Sequence, residues 1–249
     1  MGPFDYIIVG AGSAGAALAA RLVEGSDARV LLLEAGEARH EDFWVRVPIG
    51  VAKLLTNPRY VWQFQTEAQA TLAGQQIYWP RGRMPGGSSS VNGMIFVRGD
   101  PREFDYWAEL GNPGWSHADL LPYFRRMEHT RLGNDATRGR SGPLSVTSLR
   151  DVFENPLSQA FLQACVQAGV PQVDDYNGER YEGVSYLQLS TERGQRCSSA
   201  KAYLSTPRPN LTLVTGAVVT GIQLEGRRAA GVTYRVDGTT HRALARCEV

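Results

Sequence analysis

The clearest chemical signal in the sequence is a glycine-rich turn at residues 10–15, GAGSAG. Gly10 permits a tight turn out of a strand, Gly12 lets the backbone approach a pyrophosphate, and Gly15 lets the next helix pack closely. The start of that helix offers N–H groups and a positive dipole end to phosphates. Glu34 follows Gly15 by 19 positions and can accept hydrogen bonds from a ribose diol. The turn therefore predicts a dinucleotide site, but it does not separate nicotinamide from flavin dinucleotides.

A second cluster of small residues lies at 86–93, GGSSSVNG, and leads into MIFVRG at 94–99. A backbone of this composition can pass close to a flat cofactor before it enters an apolar element. The alternative interpretation is a plain serine-rich turn that leads into a helix or strand.

The elements around the first turn have the spacing of a βαβ unit. An apolar run at 4–9 predicts a buried strand, an alanine-rich segment at 13–24 a helix, and 29–33 a second strand, all within some 30 residues. Only these two nucleotide-fold strands can be recognised, so we expect the chain to be incomplete as a structural unit. Further helices are predicted at 102–110, 117–128, 155–168 and 198–204, a strand at 184–190, and a closing meander of strands at 211–215, 218–224, 231–236 and 241–249.

Composition excludes several classes of protein. The 249 residues carry a formal net charge of +1, which gives no general attraction to nucleic acid, and no apolar run is long enough for a membrane span. Cys165, Cys197 and Cys247 form no CxxC pair and indicate reduced, mostly buried thiols. We expect an exposed loop with solvated arginines at 130–142. The aromatic residues at 60–79 are either core or cover for a substrate.

Four segments together resemble the glucose-methanol-choline (GMC) oxidoreductase family, in its choline and aliphatic-alcohol dehydrogenase branch. They are GAGSAG with LLLEAG, GRMPGGSSSVNGMIFVRG, GQRCSSAKAYL and RPNLTLVTG. The similarity runs over essentially the whole chain, and the second segment is its most specific part. It implies an α/β fold, in which a Rossmann-type FAD-binding domain carries an inserted α+β substrate domain, here truncated.

The resemblance also assigns cofactor-binding roles by position. The residues that match the family's pyrophosphate-binding positions are Gly10, Gly12, Ser13 and Gly15. Glu34 matches the position that binds the adenosine ribose. Val219 matches the residue whose backbone meets the adenine. Those matching the ribityl chain and flavin ring are Arg83, Gly87, Ser88, Asn92, Gly93 and Met94.

Two departures from the family pattern bear on function. Pro85 stands where an aliphatic residue usually precedes the double glycine, and proline removes an N–H donor. The family's second signature, which the resemblance would place shortly after Val249, is absent from this sequence, and so is the half that carries the family's catalytic histidine. We assign no catalytic residue and no metal ligand, because none of the four histidines sits in a matching context: His40, His117, His129 and His241.

The resemblance implies an FAD-dependent oxidoreductase that acts on the CH–OH group of a primary aliphatic or choline-like alcohol by hydride transfer to flavin. We expect an FAD-binding domain at 1–150, part of a substrate domain at 151–194, and a return to the FAD domain at 195–249. The expected partners are the alcohol, an electron acceptor (oxygen, a quinone or a carrier) and the missing C-terminal half, with no nucleic acid. The expected location is the cytoplasm, with peripheral association at the inner membrane face as a further possibility. The alternatives are a non-catalytic dinucleotide-binding fragment and an NAD-dependent dehydrogenase.

Overall fold

The computed structural model describes residues 3–152 and 154–249, which form two compact units. The first unit combines Met1–Gly93 with Arg196–Val249, and the second unit is Met94–Gln195. Because the first unit is made of two chain segments, the second unit is an insertion in it.

Helices and strands are named here in chain order. The first part of the chain forms β1 (Phe4–Val9), α1 (Ser13–Val23), β2 (Val30–Leu33), α2 (Phe43–Arg46), α3 (Val51–Leu54), β3 (Val61–Gln65) and β4 (Tyr78–Gly82). The middle part forms α4 (Pro101–Glu109), α5 (His117–Met127), β5 (Glu128–His129), β6 (Leu144–Ser145), β7 (Thr147–Ser148), α6 (Leu149–Val152), α7 (Pro156–Gln167), β8 (Gln188–Leu189), β9 (Thr191–Glu192) and β10 (Gln195–Arg196). The last part forms α8 (Ser199–Leu204), β11 (Leu211–Val214), β12 (Val218–Glu225), β13 (Arg228–Val236) and β14 (Thr239–Glu248).

A six-stranded sheet in the order β11-β2-β1-β14-β13-β12 organises the first unit. The four strands β11, β2, β1 and β14 run parallel, whereas β12, β13 and β14 form an antiparallel meander. The α/β prediction is confirmed. The expectation that all the closing strands form one meander is wrong for β11, which instead pairs with β2 on the other side of β1.

The central strands are apolar because both faces of the sheet are covered. Ile7 on β1 packs with Leu31 and Val232 on one face of the sheet. On the other face, Ile8 packs with Ala19 of α1 and with neighbouring strand residues. Parallel strands buried on both faces require such near-continuous apolar runs, and the short alanines of α1 let the helix lie close to the sheet.

The aromatic region between 60 and 79 forms a hairpin of β3 and β4, which pair antiparallel. Phe64 is 51% exposed and Trp79 is 48% exposed, so these side chains are not core. A separate small core lies beneath this region and contains Val45, Leu54, Val61, Met84 and Val91. The core interpretation is therefore wrong for Phe64 and Trp79, whereas Tyr60 packs against this small core, and cover for a substrate stays a prediction.

The second unit contains three of the predicted helices, α4, α5 and α7, and local caps explain where α5 and α7 begin. Ser116 caps α5 through a capping box with Asp119, and Asn155 caps α7 by accepting from the N–H of Leu157. The predicted strand at 184–190 is reduced to the two residues of β8, Gln188–Leu189.

The segment at 130–142 is a loop whose residues 133–136 are exposed, as its polarity predicts, but the expectation of solvated arginines is wrong for Arg138. Arg138 is 1% exposed. Its guanidinium donates to Glu128 Oε1 at 2.8 Å and Oε2 at 3.1 Å, and to Asp175 Oδ1 at 2.5 Å. Arg98 donates to the same Glu128 carboxylate. Charged side chains are buried only when paired, and here two arginines face two carboxylates.

Three further expectations can be compared with the structure. The second compact unit begins at Met94, well before the predicted domain boundary at 150, and it ends at Gln195, next to the predicted return at 195. Which segment binds cofactor and which binds substrate stays a prediction. Of the cysteines, Cys197 is buried, Cys165 is half-buried and Cys247 is exposed, so burial of most of them is not observed. Within the described ranges, no helix combines the length and apolar character needed to cross a membrane.

Candidate dinucleotide-binding site

The turn at 10–15 lies at the carboxyl end of β1, between the ends of its neighbours. β1 has β2 on one side and β14 on the other, so the strand order changes direction at this point. The N–H of Gly10 donates to the carbonyl of Leu33 at 2.7 Å, which joins the turn to the end of β2. In open parallel sheets, ligands bind outside the carboxyl ends of the strands at such a switch point.

Glycine occurs at the three positions of the turn for different structural reasons. Gly10 has φ +97°, a backbone conformation that favours glycine. A Cβ on Gly15 would lie 2.0 Å from the carbonyl oxygen of Gly10, so Gly15 allows α1 to pack against the turn. Gly12 is extended, with φ −73° and ψ −163°, and a Cβ there would meet nothing nearer than Gly87 Cα at 3.9 Å. The protein's own packing therefore does not require a glycine at 12.

The amino end of α1 suits an anion. Gly12 is its N-cap residue and supplies no side-chain cap, and the first turn of the helix contains no acidic residue. Ser13 is exposed at the first helical position. The first N–H groups of a helix have no intrahelical acceptor and lie at the positive end of its dipole. Phosphate oxygens are the acceptors that such an arrangement binds well.

Glu34 is 6% exposed and lies directly after β2. Its Oε2 accepts from the N–H of Ala11 at 2.9 Å, and its Oε1 accepts from the N–H of Gly36 at 2.9 Å. The side chain thus holds the glycine turn against the end of β2. A carboxylate has about four acceptor positions, so these two bonds leave capacity for ribose hydroxyls.

The structure brings the two glycine-rich segments into contact. The N–H of Gly86 donates to the carbonyl of Ala11 at 2.7 Å. Gly87 has φ +50°, and a Cβ on it would lie 2.8 Å from Gly12 Cα. Only glycine at 87 lets the second segment approach the first this closely. The convergence of the two segments, on which the flavin interpretation depends, is therefore observed.

Serine side chains hold the second glycine-rich segment, at 86–93, in place. Ser90 donates to the carbonyl of Pro85 at 2.8 Å, and Ser89 Oγ accepts from the N–H of Ser199 at 2.9 Å. The N–H groups used at the turn belong to Gly86 and Gly87, so the N–H that proline lacks is not required there.

The remaining predicted residues occupy different places. Ser88 Oγ accepts from the N–H of Gly82 at 3.1 Å, and the Arg83 guanidinium stacks 4.3 Å from the ring of Trp62. Asn92 and Gly93 are exposed at the end of the first unit's first segment. Met94 is buried and belongs to the second unit, where its carbonyl accepts from the N–H of Ser190 at 2.8 Å.

Val219 lies on β12, which begins beside Glu34. The N–H of Ala217 donates to the carbonyl of Glu34 at 2.8 Å, just before β12 begins. The start of β12 is therefore held at the carboxyl end of β2, and Val219 is the second residue of β12.

Sequence reasoning missed Arg196, which is 2% exposed and bonded to the segment that contains Ser89 and Asn92. It lies within GQRCSSAKAYL, one of the four segments that carry the family resemblance. The available signal was an arginine followed directly by the small residues Cys197, Ser198 and Ser199.

The model of one protein family, GMC oxidoreductase, matches residues 4–249. The chain belongs to the GMC oxidoreductase family. The resemblance inferred from the four sequence segments is thereby confirmed. The chain is similar to the oxygen-dependent choline dehydrogenase of Vibrio vulnificus (strain YJ016), with 44% identity over 248 residues. That alignment covers 99% of this chain and 44% of the length of the Vibrio protein.

Solved structures support the same fold. Pyridoxine 4-oxidase from Mesorbium loti matches with a TM-score of 0.92 and 37% identity, over 97% of this chain and 48% of that chain. An FAD-dependent oxidoreductase from Chaetomium thermophilum matches with a TM-score of 0.89 and 28% identity, over 98% of this chain and 44% of that chain. The chain thus spans about half the length of the proteins that it matches.

Proposed function

We propose that this chain binds FAD and supplies the cofactor-binding part of an oxidoreductase that acts on the CH–OH group of alcohols. Family membership and the contact between the segments at 10–15 and 86–93 support the proposal. The choline dehydrogenase relatives favour a primary aliphatic or choline-like alcohol. The electron acceptor is oxygen, a quinone or a carrier protein, and the cytoplasmic location with peripheral membrane association stays part of the proposal.

The single observation that carries the proposal is the glycine at position 12. Its backbone conformation is open to any residue, and a Cβ would contact only Gly87 Cα at 3.9 Å. Gly10 and Gly15, in contrast, are required by backbone conformation and by packing. A glycine that neither strain nor packing demands is explained when a ligand lies against its backbone, and the adjacent helix terminus favours a pyrophosphate.

Each protein group has a defined task in this proposal. The amino end of α1 binds the pyrophosphate, Glu34 accepts from the adenosine ribose, and the start of β12 at Val219 borders the adenine. The second segment, from Arg83 to Asn92, positions the ribityl chain and flavin. Bound FAD supplies the hydride acceptor. The group that takes the hydroxyl proton is not assigned to this chain, and a missing base of this kind costs about 10²–10⁴ in rate.

The decisive experiment is cofactor identification on the purified chain. We expect a flavin absorption spectrum, and denaturation should release FAD that chromatography identifies. Binding of NAD without flavin would favour the nicotinamide dehydrogenase alternative and overturn the proposal. If the chain binds FAD and oxidises alcohol only after the proposed C-terminal half is added, the role of a cofactor-binding part is supported. A non-catalytic binding module would show no alcohol turnover in either case.

The Gly12→Ala variant tests whether a ligand lies against the backbone of Gly12. We expect a loss of at least about tenfold in FAD affinity, because the methyl group occupies the space of the ligand. Its stability should fall by no more than about 1 kcal/mol, the cost of a poorer N-cap residue. Gly226→Ala is the control, since Gly226 has φ +63° with open space around it. It should lose about 1 kcal/mol from backbone strain and keep its affinity. Equal FAD affinity in both variants would refute the placement of the pyrophosphate at Gly12.

A further inference from the structure

Arg196 is a buried cation beneath the second glycine-rich segment. Only 2% of its surface is exposed. Its Nε donates to the carbonyl of Val45 at 3.0 Å, and its Nη1 donates to the carbonyls of Ser89 at 3.1 Å and Asn92 at 2.8 Å. The guanidinium therefore bonds to neutral carbonyl oxygens on two different segments of the first unit.

No carboxylate in the described part of the chain forms an ion pair with this guanidinium, in contrast to buried Arg138. Its Nη2 is buried and has no hydrogen-bond partner. Burial lowers the pKa of Arg196 to about 10, so the group stays protonated at neutral pH. A buried charge without a counter-ion is unfavourable, and an apolar side chain would fill the space without that cost. The buried charge of Arg196 is therefore explained only if it has a partner outside this chain or a function.

Arg196 also fixes the direction of the Asn92 side chain. Nη1 donates to Asn92 Oδ1 at 2.9 Å, so the amide oxygen points inward to the guanidinium. The oxygen and the NH₂ group of a carboxamide point in opposite directions, and the NH₂ group is the donor. Asn92 is exposed, and it belongs to the segment that the proposed function places along the flavin.

We propose that Arg196 is a positioning residue that turns the Asn92 amide into a hydrogen-bond donor towards bound flavin and favours the reduced, anionic flavin over the oxidised form. This inference rests on the proposed function. A hydride brings two electrons and one proton to the flavin, so the reduced ring carries one negative charge more than the oxidised ring. An unneutralised positive charge beneath the segment stabilises that added charge, and the low local dielectric strengthens the effect.

The test compares the affinities for reduced and oxidised FAD, which together set the midpoint potential of the bound flavin. In the FAD-bound protein, Arg196→Gln should lower the ratio of reduced to oxidised affinity by about tenfold, which lowers the potential by about 30 mV for a two-electron couple. Arg196→Lys keeps the charge and should stay within about threefold of the wild type. Arg228→Gln removes a half-exposed positive charge on β13 and should leave the ratio unchanged.

The results separate this inference from its foundation. If the wild-type chain binds no FAD, the proposed function fails before any Arg196 variant is made. A folded Arg196→Gln protein whose ratio lies within about twofold of the wild type would overturn the inference alone. A loss in Arg196→Lys as large as that in Arg196→Gln would also overturn it, since the charge would then not matter. If Arg196→Gln does not fold, the lysine variant decides, and a tenfold loss there counts against the inference.

Discussion

Removing the Glu128 carboxylate should strongly destabilise the second unit. Glu128 is fully buried and accepts from the guanidinium groups of Arg98 and Arg138 and from the N–H of Gly139 at 2.8 Å. The substitution Glu128→Ala would leave two guanidinium groups near a single remaining acidic partner, Asp175. Burial already lowers the pKa of Arg98, and Glu128 opposes that shift, which shows that the carboxylate compensates a desolvated charge.

The expected loss in the free energy of unfolding is about 3–5 kcal/mol, the usual cost of leaving a buried charge without its partner. That is a large part of the roughly 5–15 kcal/mol that stabilises a typical protein. Glu225→Ala is the matched control, because it breaks the pair of Glu225 with Arg228 at the surface. The control should lose about 0–1 kcal/mol, and only this smaller loss should shrink as salt is added.

Urea unfolding measures the loss in the free energy of unfolding, and hydrogen exchange shows in which unit the loss occurs. Amides of Met94–Gln195 should exchange faster in Glu128→Ala, and the Gly139 amide, which donates to Glu128, should lose protection first. Amides of the first unit give the internal comparison. A loss below about 1 kcal/mol in Glu128→Ala, or one equal to that of Glu225→Ala, would refute the view that this network is a buried and mutually compensated set of charges.

Two further predictions concern the glycine contact and an acidic helix cap. Gly87→Ala should cost about 1–3 kcal/mol more than Gly226→Ala in thermal unfolding, because both residues have positive φ but only the Cβ at 87 would lie 2.8 Å from Gly12 Cα; equal costs would show that the two segments separate easily. The Arg102 side chain and its backbone N–H hold the pKa of Asp100, the N-cap residue of α4, below its ordinary 3.8. The lowered pKa means that Asp100 contributes stability above pH 3.8 and loses it as the pH falls through the lowered value. Asp100→Asn should keep the cap and remove this pH dependence in urea unfolding, and an unchanged acid profile would contradict the assignment.

The sequence was most informative where structure is decided locally. The turn at 10–15 follows a strand and opens a helix, and helices α5, α7 and α8 begin at the capping residues Ser116, Asn155 and Ser198. Such signals span only a few residues, so they can be recognised without the fold. The family resemblance added the second segment, whose contact with Gly12 no local pattern reveals.

Several errors involve partners that lie in other structural elements. The position of β11 just before β12 predicts that it joins the meander, yet its partner is β2, far earlier in the sequence. The polar neighbours of Arg138 in sequence predict a solvated side chain, yet its ion-pair partners are Glu128 and Asp175. Arg196 was overlooked because its importance lies in the absence of an ion pair in the described structure. Pairings between remote segments depend on the tertiary fold, which composition and periodicity do not encode.

The pairing of β1 with β14 has a consequence for how the polypeptide assembles during translation. β1 needs as its neighbour β14, which is made only after the whole insertion has been synthesised, whereas Met94–Gln195 is contiguous and can collapse on its own. Joining the two flanks across an insertion of about 100 residues costs about 4 kcal/mol of loop entropy if that insertion is still a coil. Early compaction of the insertion shortens the effective loop. The sheet therefore closes at a lower entropic cost if the insertion becomes ordered before β14 pairs with β1.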